Sequence, residues 1–207
     1  MTTDPRYRNR KFDGSNIASF ARDYVGAFGH AMESLDFAAL ERAAEVVFSA
    51  GRDGKRIYVV GNGGSAAIAD HLCCDWTKGT SCSGHSTIKT HSLSSNVALY
   101  SAIANDYGFE NVFSTQVDFF GEAGDVLIAI SSSGNSGNIL AAVKHAQDKG
   151  MSVIGLSGFG GGKLKDACDI SLHAAADNYG VVEDCHQAMM HIIAQFIANR
   201  RDETNPV

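Results

Sequence analysis

The sequence predicts an α/β protein in which a parallel sheet of about five strands is flanked by helices in three layers, with extra helices ahead of it. Two observations carry this. Short apolar runs at residues 56–60, 126–130, 152–156 and 169–172 have the length of strands, the first three with little polar alternation. Amphipathic stretches at 65–78, 94–104, 136–149 and 183–200 alternate with them. Strands buried on both faces and separated by helices are what a parallel sheet requires, because each crossover lays a helix over the sheet.

Residues 1–14 are polar, include Pro5 and Gly14, and lack periodicity, so they read as a frayed arm ahead of a single domain spanning 15–207. Ser15 or Asn16 is placed to cap the first helix. Ile17, Phe20, Ala21, Tyr24, Phe28 and Met32, then Leu35, Leu40, Ala43, Val47 and Phe48, recur at three- and four-residue steps. That pattern breaks near residues 34–36 and gives two helices before the first strand. Residues 79–93 mix Gly, Ser, Thr and His and read as a loop with one strand near 87–91.

A chain of 207 residues with 44% hydrophobic content is ample for one core. Its 17 basic and 23 acidic residues leave a formal charge of −6, against the positive field a nucleic-acid-coating protein needs. Five cysteines without C-x-x-C spacing read as free thiols, which points to the cytoplasm. Arg6, Arg8, Arg10 and Lys11 precede no apolar segment, and no run approaches membrane-spanning length, so neither secretion by that route nor a membrane partner is expected.

Two loops carry the chemistry. The first, Gly61-Asn62-Gly63-Gly64-Ser65, runs from an apolar strand into a helix. Glycines bring backbone N–H groups close to a ligand, and the helix N-terminus adds unpaired donors and partial positive charge, so the place suits an anion. It is neither G-x-G-x-x-G nor a Walker loop, and taken alone it reads equally as a tight turn capped by Ser65. The second, Ser131-Ser132-Ser133-Gly134-Asn135-Ser136, sets four serines in six residues at another strand end. Hydroxyl donors at a helix start cradle a phosphate monoester. Because ligands of open α/β sheets sit beyond the carboxyl ends of strands, the pair defines one phosphate site.

His71 and Asp75 stand four residues apart on one helical face, able to hold a divalent metal or shuttle a proton, although such an isolated pair is more often a surface contact. The segment from Glu183 to His191 repeats the theme beside an apolar stripe of Met189, Ile192, Ile193, Phe196 and Ile197. His85, His91, His145 and His173 lack partners at metal spacing and read as surface or loop histidines.

With Ile103-Ala104-Asn105-Asp106-Tyr107-Gly108-Phe109 between the two loops and Leu156-Ser157-Gly158-Phe159-Gly160-Gly161-Gly162 after them, the sequence resembles proteins of the SIS (sugar isomerase) fold. Within that fold it is most similar to the phosphoheptose isomerases, over about residues 15–200. The resemblance implies a homotetramer with interfacial active sites, zinc, and conversion of sedoheptulose 7-phosphate to D-glycero-D-manno-heptose 7-phosphate. It implies phosphate and sugar contacts for Asn62, Gly63, Gly64, Ser65, Asn105, Asp106, Ser131, Ser132, Ser133 and Ser136.

It also implies zinc ligands at His71, Asp75, Glu183 and His191, with Asp75 or Glu183 as base and His191 as acid. The family carries His and Glu in the first pair and Gln and His in the second. Here Asp75 is one methylene shorter, and Glu183 adds a charge that either tightens a divalent metal or supplies the longer carboxylate as base. Eight residues of continuous helix rise about 12 Å and turn by about 80°, so Glu183 and His191 meet one ion only if the helix start is uncoiled or ligands come from different subunits. Asp184 and His186 are the rivals if the register differs. A non-catalytic phosphosugar-binding or regulatory protein, and an isomerase or epimerase of another phosphosugar, are the alternative functions.

Overall fold

A computed structural model describes residues 12–204. Most of the expected N-terminal arm, residues 1–11, lies outside the described residues. Phe12 packs edge-on against Phe20 and Tyr24, with centroids 5.3 and 5.7 Å away.

The first two helices are α1 (Ile17–Glu33) and α2 (Phe37–Arg52). Their caps are side chains that accept backbone hydrogen bonds: Asn16 Oδ1 from the Ser19 N–H at 2.9 Å, and Asp36 Oδ1 from the Ala39 N–H at 3.0 Å. The expected break therefore falls where Asp36 restarts the chain.

The sheet comprises β1 (Arg56–Gly61), β2 (Lys89–Ser92), β3 (Val126–Ser131), β4 (Ser152–Ser157) and β5 (Ile170–His173). All pairings are parallel, as the sequence pattern implies, and the strand order is β2-β1-β3-β4-β5. Asp125 fixes the β1/β3 edge by accepting from the Arg56 N–H at 2.9 Å and the Glu122 N–H at 3.0 Å.

Alternate strand residues feed opposite cores. Ile57, Val59, Ile128, Ile130, Ile154 and Leu156 face α1, α2, α3 (Gly64–Cys74) and α8 (Tyr179–Thr204). Tyr58, Val60, Leu127, Ala129 and Val153 face α4 (Val97–Tyr107), α5 (Ser114–Phe120), α6 (Gly137–Asp148) and α7 (Gly162–Ala167). Burial on both faces is why these strands read as unbroken apolar runs.

The chain leaves β1 toward one edge of the sheet and β3 toward the other. Their carboxyl ends therefore flank the crevice at which the strand order reverses, the place where open α/β sheets bind ligands. Both glycine- and serine-rich loops open there.

Three features depart from the pattern reading. The helices α5 and α7 have seven and six residues, too few for periodicity to show. The helix expected over 65–78 is regular only to Cys74, then widens into a π-helical turn, Asp75–Gly79. The last helix begins at Tyr179, four residues before the expected start.

His186, on the inner face of α8, is fully buried with Nε2 3.1 Å from the Ser157 carbonyl oxygen, to which it donates. Burial pushes its pKa down from 6.5 to about 4. Between those values the unfolded chain takes up a proton that the folded chain refuses, so stability is full above pH 6.5 and falls as the pH drops toward 4. At roughly 1.4 kcal/mol per pKa unit the loss is about 3 kcal/mol. Urea midpoints measured against pH should show this slope, and His186→Gln should flatten it; an equal slope in both proteins rules out His186 as its source.

Candidate active site

The two loops are joined directly. Asn62 and Asn138 form a reciprocal amide pair, each Nδ2 donating to the other's Oδ1 at 2.9 Å. Asn138, in the first turn of α6 and buried, carries no motif signal; only the closeness of the two strand ends makes it a bridge.

In the first loop Gly63 takes a positive φ of 55° as the chain enters α3. Ser65 is buried, and its N–H donates to the Asn62 carbonyl at 3.0 Å. In the second loop the Ser131 hydroxyl donates to the Ser136 hydroxyl at 3.2 Å, and Ser133 Oγ accepts from the Asn135 N–H at 3.2 Å. The Ser132 hydroxyl is buried without a protein partner, a polar atom left for a ligand to satisfy. Ser136 starts α6 but makes no side-chain cap bond, which leaves the donors of that first turn open to an anion.

The β4–α7 segment backs this loop: the Gly158 N–H donates to the Ser132 carbonyl at 2.9 Å and the Leu164 N–H to the Gly134 carbonyl at 2.9 Å. Asn105 and Asp106, by contrast, lie exposed near the end of α4 and pair with each other at 2.8 Å rather than with either loop.

On the opposite face α3 packs against α8, pinned where Trp76 Nε1 donates to the Met190 carbonyl at 3.1 Å. This brings His71, Asp75 and His191 together. Asp75 Oδ2 lies 3.4 Å from His71 Nε2 and 3.2 Å from His191 Nε2, and one donor atom from each residue falls within 4.8 Å of the others. The π turn begins at Asp75, so the helix changes pitch where this carboxylate meets the two rings. Two imidazole nitrogens and a carboxylate oxygen on a half-exposed surface fit zinc, and equally other divalent ions.

Glu183 is not in that cluster. Its carboxylate lies against Gly64, where an added Cβ would come within 2.5 Å of Oε2, so it stands beside the first loop. Burial, reinforced by neighbouring Asp184, raises its pKa above the ordinary glutamate value. The rivals are engaged elsewhere: Asp184 Oδ2 accepts from the Tyr24 hydroxyl at 2.6 Å, and His186 is buried behind Ser157. What the sequence reading missed is Gln187, one turn before His191, whose amide nitrogen lies 2.7 Å from His71 Nδ1 and 3.2 Å from His191 Nε2.

An open parallel sheet with two bridged, glycine- and serine-rich loops at its switch point defines a sugar-phosphate-binding domain of the SIS class, and the SIS domain profile matches residues 22–158. That match stops short of α8. More particularly, the chain belongs to the phosphoheptose isomerase family. It is 39% identical over 159 residues to the phosphoheptose isomerase of Rhodospirillum rubrum, covering 77% of this chain and 84% of that one. The structure of phosphoheptose isomerase from Neisseria gonorrhoeae superposes with a TM-score of 0.79 at 33% identity, covering 87% and 97% of the two chains. The Francisella tularensis phosphoheptose isomerase gives 0.81 at 31% identity, covering 88% and 96%.

Proposed function

We propose that this protein is a metal-assisted aldose–ketose isomerase that converts sedoheptulose 7-phosphate to D-glycero-D-manno-heptose 7-phosphate. The observation that carries the reading is the Asn62–Asn138 bridge, which makes one phosphate cradle of two loops while Glu183 stands beside the first of them.

The serine loop holds the phosphate: Ser131, Ser132, Ser133 and Ser136 offer hydroxyls and the first turn of α6 offers backbone donors, whereas the Ser65, Ala66 and Ala67 N–H groups of α3 already donate to the Asn62 and Gly63 carbonyls. Anchoring the far end of an open-chain sugar spends binding energy on orienting its reactive carbons. The Glu183 carboxylate takes the proton from C1 of the ketose. An enediol forms and the proton returns to C2, while the hydroxyl proton passes from O1 to O2 with His191 as the acid. Zinc or another divalent ion held by His71, Asp75 and His191 supplies Lewis-acid stabilisation of negative charge on the substrate oxygens.

We place the enzyme in the cytoplasm as a homotetramer with interfacial sites. Exposed Ile17 and Val25 on α1 and Ile192 and Phe196 on α8 support association, and Asn105 and Asp106 then contact the sugar across a subunit boundary. No nucleic-acid or membrane partner is proposed; among the described residues no helix is long and apolar enough to cross a membrane.

Metal content and turnover of sedoheptulose 7-phosphate, measured before and after chelation on freshly purified protein, test this. Stoichiometric metal and chelator-sensitive aldose formation are expected. Protein that binds the phosphosugar without metal or turnover is instead a sensor.

A further inference from the structure

We propose that Gln187 is the positioning residue of the metal site: its amide sets the tautomer and orientation of the His71 ring, a role that Glu183, which stands at Gly64 within the same chain, does not share. This rests on the metal-site reading above. Glu183 and His191 are two helical turns apart on α8, with Gln187 midway, and it is the Gln187 amide that lies against His71 Nδ1, the nitrogen turned away from Asp75.

The amide has two states. With its nitrogen toward His71, it donates to Nδ1 at 2.7 Å, and the ring proton then sits on Nε2, facing Asp75 Oδ2 at 3.4 Å. That tautomer is closed to a cation at Nε2. Turned over, the amide oxygen accepts from Nδ1–H, and Nε2 presents a lone pair on the side of the Asp75 carboxylate. A histidine that holds a metal through one nitrogen commonly donates from the other to such an acceptor, which fixes the ring and raises its basicity. The contact of 3.2 Å to His191 Nε2 belongs to the first state; in the second the amide oxygen cannot accept from that nitrogen while it offers its lone pair to an ion, so the amide orients His71 alone. Glutamate at position 187 preserves the acceptor; leucine preserves most of the bulk and removes it.

Zinc affinity of the purified protein, measured by competition with a chromogenic chelator, separates these roles. Gln187→Leu is expected to weaken zinc binding by about 10- to 100-fold. Gln187→Glu should restore it, and Glu183→Gln should leave it at the unmodified protein's value. Long-range imidazole nitrogen–proton spectra of the zinc-loaded protein should show the His71 proton on Nδ1, and a mixture of tautomers in Gln187→Leu. Unchanged affinity in Gln187→Leu overturns the proposal while leaving the metal site standing, and a comparable loss in Glu183→Gln transfers the role to Glu183. An unmodified protein that binds no zinc overturns both this inference and the reading beneath it.

Discussion

Glu183→Gln is expected to lower kcat by about a thousandfold while the KM for the phosphosugar and the bound metal stay unchanged, the size of effect a lost general base produces. The amide keeps the volume and planar shape of the carboxylate that packs on Gly64, so the loop has no reason to move. What is lost is basicity. Burial first, and the charge of Asp184 second, disfavour the ionised form and raise the pKa of Glu183 above 4.5, toward the pH at which the enzyme would work. Because the base is competent only when ionised, kcat/KM should rise with pH through an inflection above 4.5, the ordinary glutamate value. Asp75→Asn should fail differently. Asp75 faces both imidazoles, so its loss should deplete the metal, and activity should disappear with it. Full turnover in Glu183→Gln, beside a metal-loaded but inactive Asp75→Asn, assigns the base to Asp75.

That division of labour is only half legible in the sequence. The runs that form β1, β3 and β4 show because burial on both faces makes them almost uniformly apolar, β5 shows only through the alternation of Ile170 and Leu172, and the loops show because glycine and serine cluster where strands end. His71 and Asp75 show because helical geometry makes residues four apart neighbours. Their meeting with His191 depends on how α3 lies against α8, which no local pattern encodes. Gln187 has no signal of its own, being one polar residue on a helix with several. Asn138 is hidden likewise, since its partner Asn62 is 76 residues away. The eight-residue spacing of Glu183 and His191 does carry a warning, since a continuous helix separates them by about 12 Å. The structure keeps that helix continuous from Tyr179, and Glu183 stands at Gly64 instead.

Gly134→Ala is expected to cost about 3 kcal/mol of phosphosugar binding, roughly a hundredfold in Kd, with zinc content and the sheet intact. Gly134 sits at φ 65°, turning the serine loop so that its N–H donates to the Ser131 carbonyl at 2.9 Å and its own carbonyl accepts from Leu164. An L-residue held in this left-handed region loses about 1–2 kcal/mol. Space is the larger obstacle, because a Cβ there would run into the backbone of Gly161 and Gly162, which cannot swing aside as a side chain can. Relief requires the loop to lift away from the β4–α7 segment, carrying Ser131, Ser132 and Ser133 out of line with the start of α6. Gly160→Ala is the control: it lies in the same neighbourhood at an ordinary φ with nothing within 4 Å of its Cβ position, and it should bind phosphosugar normally. Equal affinities in the two variants, measured by calorimetry, mean that the phosphate is held by the first loop alone. The four serines are then a surface turn, and the Asn62–Asn138 pair is a structural tie rather than the seam of one binding site.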